Sequence, residues 1–186
     1  MEEKKTLILN GSPRKNGDTA YLIRMLTEHL DGEVRVLRCY ETEIRPCIDC
    51  RYCRTHEGCV IQDEMQEWYH FIEDCDRIVV ASPVYFSTLT GKLLDAASRL
   101  QCYFSAEFFQ KKQLIAKEKD GAVILTGGGS GGAENALQTA HILLREMNCT
   151  RIAESVLSLH TDRIPAEKDP AAAKEVRRLA EWMRRA

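Results

Sequence analysis

Apolar positions along this chain alternate between short continuous runs and helical spacings. Thr6-Leu-Ile-Leu9 is a short run closed by Asn10-Gly11-Ser12-Pro13, the pattern of a buried strand that ends in a loop. Apolar residues at 20, 22, 23, 26 and 30 predict a helix over Ala20–Leu30, and Val34, Val36 and Leu37 mark a second strand. A loop with few apolar residues follows, then a helical stretch over Asp63–Ile72. Arg77–Ala81 reads as a buried strand stopped by Ser82-Pro83, and Gly91–Leu100 as a helix. Ala122–Thr126 is a strand running into glycines. Ala133, Ala136, Leu137, Ala140, Leu143, Leu144 and Met147 trace one helical face. Ile152–Leu159 supplies a last strand. Asp169 is placed to cap a final helix with Pro170 at its first position, and Arg184 and Arg185 suit its negative end. Five strands alternating with five helices predict an α/β three-layer sandwich on a parallel sheet, in one domain over residues 1–186.

Ligands of such sheets bind beyond the carboxyl ends of the strands. The loop after the first strand, Gly11–Thr19, carries Ser12, Arg14, Asn16 and Thr19 as donors at the start of a helix, whose free N–H groups attract anions. It lacks G-x4-G-K-[ST] and so suits one terminal phosphate. A plain polar turn with Asp18 as helix cap is the competing reading. The loop after the third strand, Ser82-Pro83-Val84-Tyr85-Phe86, offers flat side chains and backbone N–H groups to a planar heterocycle, or packs as an aromatic pair. The loop after the fourth, Gly127–Gly132, contains G-x-G-x-x-G, with Glu154 about 20 residues on as a dinucleotide fingerprint requires. Its position in the chain favours another use: Thr126, Gly127 and Gly128 let backbone approach a flat ring closely. A flexible surface turn is the alternative.

Composition narrows the class. Hydrophobic residues make up 44%, charged residues 29%, and the net charge is −2, a balance that gives no footing for nucleic acid or anionic membrane. No apolar run approaches the roughly 20 residues of a membrane span. The charged start, Met1 to Thr6, has no secretory core, so a cytoplasmic location with reduced thiols is expected.

Four of the eight cysteines fall in C-x2-C-x2-C-x5-C: Cys47, Cys50, Cys53 and Cys59. Reduced thiolates so close together suit an iron–sulfur cubane. Zinc, with His56 as a further donor, a redox C-x-x-C dithiol at Cys47 and Cys50, and a loop whose thiols merely pack are the other readings. Cys39, Cys75, Cys102 and Cys149 lie in or beside apolar elements and read as small buried hydrophobes, and His29, His70, His141 and His160 show no ligand spacing.

Together, Gly11–Thr19, Ser82–Phe86 and the segment Cys47–Met65 with its Asp63-Glu-Met65 resemble the NAD(P)H-dependent FMN reductases of the flavodoxin-like superfamily, in their iron–sulfur flavoprotein branch. The resemblance implies sheet order 2-1-3-4-5, FMN on the three loops, NAD(P)H as cosubstrate and a homodimer or homotetramer. It also implies a [4Fe-4S] cluster on the four cysteines, which relatives with similar loops do not always hold. Electrons would pass to a quinone, flavin or other small acceptor; a protein fed by a ferredoxin-like carrier and a zinc-stabilised binding module are the rival functions. No side chain need act as acid or base, so no catalytic residue is named. The chain departs from the resemblance at Asp49, where relatives often have glycine, and at Leu94 and Ser98, where they often have lysine and aspartate; Arg99 is kept. Tyr103, Phe104, Phe108 and Phe109 are assigned equally to cover of the flavin, a subunit contact or the core.

Overall fold

A computed structural model describes residues 3–129 and 131–185. The sheet is built from β1 (Lys5–Asn10), β2 (Glu33–Arg38), β3 (Arg77–Pro83), β4 (Lys119–Gly127), β5 (Cys149–Ile152) and β6 (Val156–Leu159). Its order is β2-β1-β3-β4-β5, with β6 also paired to β4, and every pairing is parallel. Between the strands run α1 (Asp18–Thr27), α2 (Met65–Asp74), α3 (Gly91–Ser98), α4 (Gln101–Ser105, continued by a π turn over Ala106–Gln110), α5 (Glu134–Glu146) and α6 (Pro170–Arg185). The expected flavodoxin-like order is therefore present.

The period of two along each strand sorts its side chains onto two cores. Leu7, Leu9, Ile78, Val80, Val123 and Leu125 face α2, α3 and α5, while Ile8, Val79, Ala81, Ala122 and Ile124 face α1 and α6. Strands buried on both faces read as unbroken apolar runs, which explains why β1, β3 and β4 stand out in the sequence. α6 starts as expected: Asp169 Oδ1 accepts from the N–H groups of Ala171 and Ala172 at 3.0 and 3.1 Å, and Pro170 is the first helical residue.

Two elements differ from expectation. The last strand is split. Ala153 and Val156 are both buried, an odd spacing that period-two alternation cannot satisfy, so the chain breaks at 153–155 and resumes as β6 farther along β4. Residues 101–110 are helical, and buried Tyr103 within them packs edge-on against Tyr69, with ring centroids 5.7 Å apart. That tertiary contact leaves no local period to read.

Candidate functional site: three loops and a cysteine cavity

The three loops at the carboxyl edge are laced together by hydrogen bonds. The Gly11 N–H donates to the Ala81 carbonyl at 2.8 Å, and the Thr90 hydroxyl donates to the Gly11 carbonyl at 2.7 Å. The Thr19 and Thr126 hydroxyls bond at 2.8 Å, and the Val84 N–H donates to the Thr126 carbonyl at 2.8 Å. Thr19 and Thr126 are thus buried struts between loops, a role their sequence positions did not announce.

Within the first loop, the Ser12 hydroxyl accepts from the Arg14 N–H at 3.2 Å and donates to the Arg14 carbonyl at 3.3 Å, so it shapes the turn. Asn10 Oδ1 accepts from the Ser12 N–H at 2.9 Å. Arg14 and Asn16 are exposed. The Arg14 side chain lies along Gly17, where an added Cβ would stand 3.0 Å from Arg14 Cβ. Arg14 is thereby held beside the start of α1, which no side chain caps. Asp18, the helix cap of the competing reading, does not cap α1: its carboxylate accepts instead from the Ala166 N–H at 2.8 Å and ties α1 to the segment before α6. An uncapped helix start beside a guanidinium suits a dianionic phosphate.

The second loop is a tight hairpin. Tyr85 and Thr88 exchange both backbone bonds at 3.0 Å, and Phe86 and Ser87 between them have φ of 50° and 61°. Two left-handed residues in a two-residue turn are the type I′ pattern. The turn thrusts Phe86 fully into solvent and leaves Tyr85 half exposed. It also consumes N–H groups: Val84 and Tyr85 donate within the protein and Pro83 has none, so of the expected backbone donors at 83–86 only Phe86 is left.

The glycine loop has a different logic from the expected one. An added Cβ at Gly128 would meet Asp162 Oδ2 at 2.4 Å, and one at Gly127 would meet Leu159 at 3.1 Å; at Gly129 and Gly131 the space is open. Close approach at 127–128 is therefore to the chain's own end of β6 and the segment after it. Gly132, at φ 79°, abuts the Ser87 hydroxyl and docks this loop on the hairpin. Ser130 lies outside the described residues. Glu154 takes no ribose-binding place: it sits at the β5–β6 break and pairs with Arg178 at 3.3 Å.

The four cysteines of the loop line one cavity of about 100 Å³ beside α3 and α4. Cys50 is exposed and Cys47, Cys53 and Cys59 half-buried, all as free thiols. The loop's backbone is held by side chains of the scaffold. Arg99 donates to the carbonyls of Arg45 and Ile61 at 3.0 Å each, and to Asp63 at 2.7 Å. Gln66 reaches the carbonyls of Cys59 and Ile61, Gln110 those of Cys53 and His56, and the Ser98 hydroxyl accepts from the Cys47 N–H at 2.9 Å. Ser98 is thus a loop anchor. Asp49 has φ 48°, a left-handed conformation that favours glycine.

Among the described residues no three His, Cys, Asp or Glu side chains stand close enough together to hold a single metal ion. His56 stacks on Tyr52 at 4.1 Å, with Nδ1 2.9 Å from the Thr55 hydroxyl. Four thiols and the buried Arg99 guanidinium line one cavity, a donor set suited to a metal-bound anionic group. Cys39, Cys75, Cys102 and Cys149 are buried as expected, and burial pushes each thiol up to about 12. Cys102 also lines the cysteine cavity, which its apolar sequence context concealed. Of the four aromatics from α4 and its π turn, Tyr103 is core, while Phe104, Phe108 and Phe109 are exposed, with Phe104 and Phe109 at the cavity.

A doubly wound parallel sheet in the order 2-1-3-4-5, with an uncapped helix start and flat side chains at its carboxyl edge, defines a flavodoxin-like protein. Residues 4–163 match the family described as NADPH-dependent FMN reductase, and the chain belongs to that family, in its iron–sulfur flavoprotein branch. It is thus an FMN-dependent oxidoreductase. It is 30% identical over 150 residues to an iron–sulfur flavoprotein of Methanocaldococcus jannaschii, across 77% of this chain and 73% of that protein. It is 32% identical over 142 residues to an iron–sulfur flavoprotein of Methanosarcina thermophila, across 72% of this chain and 69% of that one. Among solved structures, an NAD(P)H:quinone oxidoreductase from Methanothermobacter marburgensis shares the fold, with a TM-score of 0.77 at 16% identity over 96% of both chains.

Proposed function

We propose that this protein oxidises NAD(P)H and delivers electrons to a quinone, flavin or other small acceptor, with FMN on the three laced loops and a [4Fe-4S] cluster on Cys47, Cys50, Cys53 and Cys59. When bound, FMN supplies hydride acceptance and the cluster single-electron transfer. The chain supplies placement. Arg14 and the first turn of α1 would hold the phosphate, Tyr85 and Phe86 would flank the ring, and the glycine loop would line its edge. The observation that carries the reading is the lacing of Thr19 to Thr126, Thr90 to Gly11 and Val84 to Thr126, which turns three separate loops into one preorganised surface.

A second reading keeps both groups and changes the electron source to a ferredoxin-like carrier. The cysteine cavity favours it, because Cys50 is exposed and Arg51 and Arg54 stand at the same cavity, within reach of an acidic partner. Assembly as a homodimer or homotetramer belongs to the same proposal, supported by the exposed Phe104, Phe108 and Phe109.

The test is anaerobic purification followed by flavin, iron, sulfide and zinc analysis and an NAD(P)H oxidation assay with a quinone. Stoichiometric FMN, about four irons per chain and acceptor-dependent NAD(P)H oxidation are expected. A colourless protein overturns the reading. Bound FMN with no NAD(P)H oxidation selects the carrier-fed alternative.

A further inference from the structure

Arg99, at the end of α3, is buried at 1% exposure and lines the cysteine cavity. Its Nη1 spans the Arg45 carbonyl and Asp63, and its Nη2 takes the Ile61 carbonyl. One guanidinium therefore grips both stems of the loop that carries Cys47 and Cys59. Tyr69 lies under it, with its ring centroid 5.9 Å from the guanidinium carbon. Three of its five N–H groups are used, and Nε is a buried nitrogen with no partner among the described residues. A buried guanidinium N–H without an acceptor is costly unless another group meets it.

We infer that Arg99 is the positioning residue of the cysteine cavity: it closes the two stems of the loop and donates its spare Nε–H to a sulfur of the anionic group that the four cysteines hold. The inference rests on the cluster reading above. A fixed cation and N–H donor beside a sulfur favour the more negative, reduced form, so they raise the reduction potential of a bound cluster. Asp63 orients the guanidinium and offsets its charge, so that a neutral pair rather than a lone cation is buried when the cavity holds only thiols.

The experiment compares the full-length wild type with Arg99→Gln and Arg99→Lys, each reconstituted anaerobically with iron and sulfide. Iron and sulfide content, the rate of iron release to a chelator and the cluster midpoint potential are measured, with FMN affinity as control. FMN affinity should be unchanged in all three. Arg99→Gln should release iron about ten-fold faster, in line with loss of an outer hydrogen bond at a metal site, and any retained cluster should have a lower midpoint. Arg99→Lys keeps the charge but not the fork, and should restore part of the midpoint without the slow release. Wild-type release and midpoint in Arg99→Gln overturn the inference, as does loss of FMN together with iron in both variants. A wild type that binds no iron and sulfide sinks the cluster reading and the sulfur contact with it. Hydrogen exchange over residues 45–63 then judges the clamp separately: faster exchange in Arg99→Gln upholds it, and equal exchange overturns it.

Discussion

At the scale of single residues, charge placed at the loop stems separates the two sites. Arg14 is exposed, packed along Gly17 beside the uncapped start of α1. Arg14→Ala should weaken FMN binding about ten-fold, the loss of one charge-assisted hydrogen bond to phosphate; fluorescence titration against the wild type measures it. Asp63 carries a different prediction. Burial pushes its carboxyl up, but its bonds from Arg99, the Arg45 N–H and the Met65 N–H more than offset this and hold it below the ordinary 3.8. The unfolded chain therefore takes up this proton first as pH falls. The stabilisation is complete above about 3.8 and is lost as pH drops through the lower folded value. Asp31, paired with Arg77, is likewise held low. Urea unfolding followed between pH 5 and pH 3 should show wild-type stability falling, and Asp63→Asn should flatten part of that slope while leaving the part due to Asp31.

At the scale of elements, the loops are strained where they do something and the helices are conventional. Phe86 and Ser87 both lie at positive φ, and the hairpin uses that strain to expose an aromatic ring at the carboxyl edge. α6 shows the opposite economy. Its Asp169 cap takes two N–H groups and also accepts from the Ser158 hydroxyl at 3.1 Å, joining the helix to β6. Asp169→Ala should cost about 1 kcal/mol or somewhat more, read as a lower urea midpoint with FMN affinity intact. The cap was legible in the sequence because capping is local, a side chain meeting N–H groups two and three residues on. The β5–β6 break was not, because it depends on which residues β4 leaves room for. The helix at 101–110 was hidden for the same reason, since Tyr103 is fixed by Tyr69 thirty-four positions earlier.

At the scale of the whole molecule, the three carboxyl-edge loops and the cysteine cavity are anchored independently. The loops hang from the ends of β1, β3 and β4, whereas the cysteine loop hangs from α2, α3 and the π turn through Gln66, Ser98, Arg99 and Gln110. Cys50→Ser should therefore remove bound iron while FMN content stays at wild-type level and stability changes by less than about 1 kcal/mol. Iron analysis, flavin release on denaturation and a melting curve check the three parts. A melt that collapses with the iron would mean that the metal, and not these side chains, holds the loop. No helix among the described residues is long and apolar enough to cross a membrane.

What the sequence determined by itself was local or periodic. The buried runs of β1, β3 and β4, the alternation of strand and helix, the donor-rich first loop and the four spaced cysteines are all properties of neighbours along the chain. Tertiary structure decided which groups remain available. It committed Thr19 and Thr126 to each other, spent the Val84 N–H on Thr126 and the Tyr85 N–H inside the hairpin, turned Asp18 toward Ala166 and set Gly128 against Asp162. It also brought Arg99 and Cys102 to the cysteine cavity from about fifty residues away. A hydrogen bond or an ion pair between distant segments leaves no period in either one, so these roles become visible only when the sheet gathers the loops at one edge.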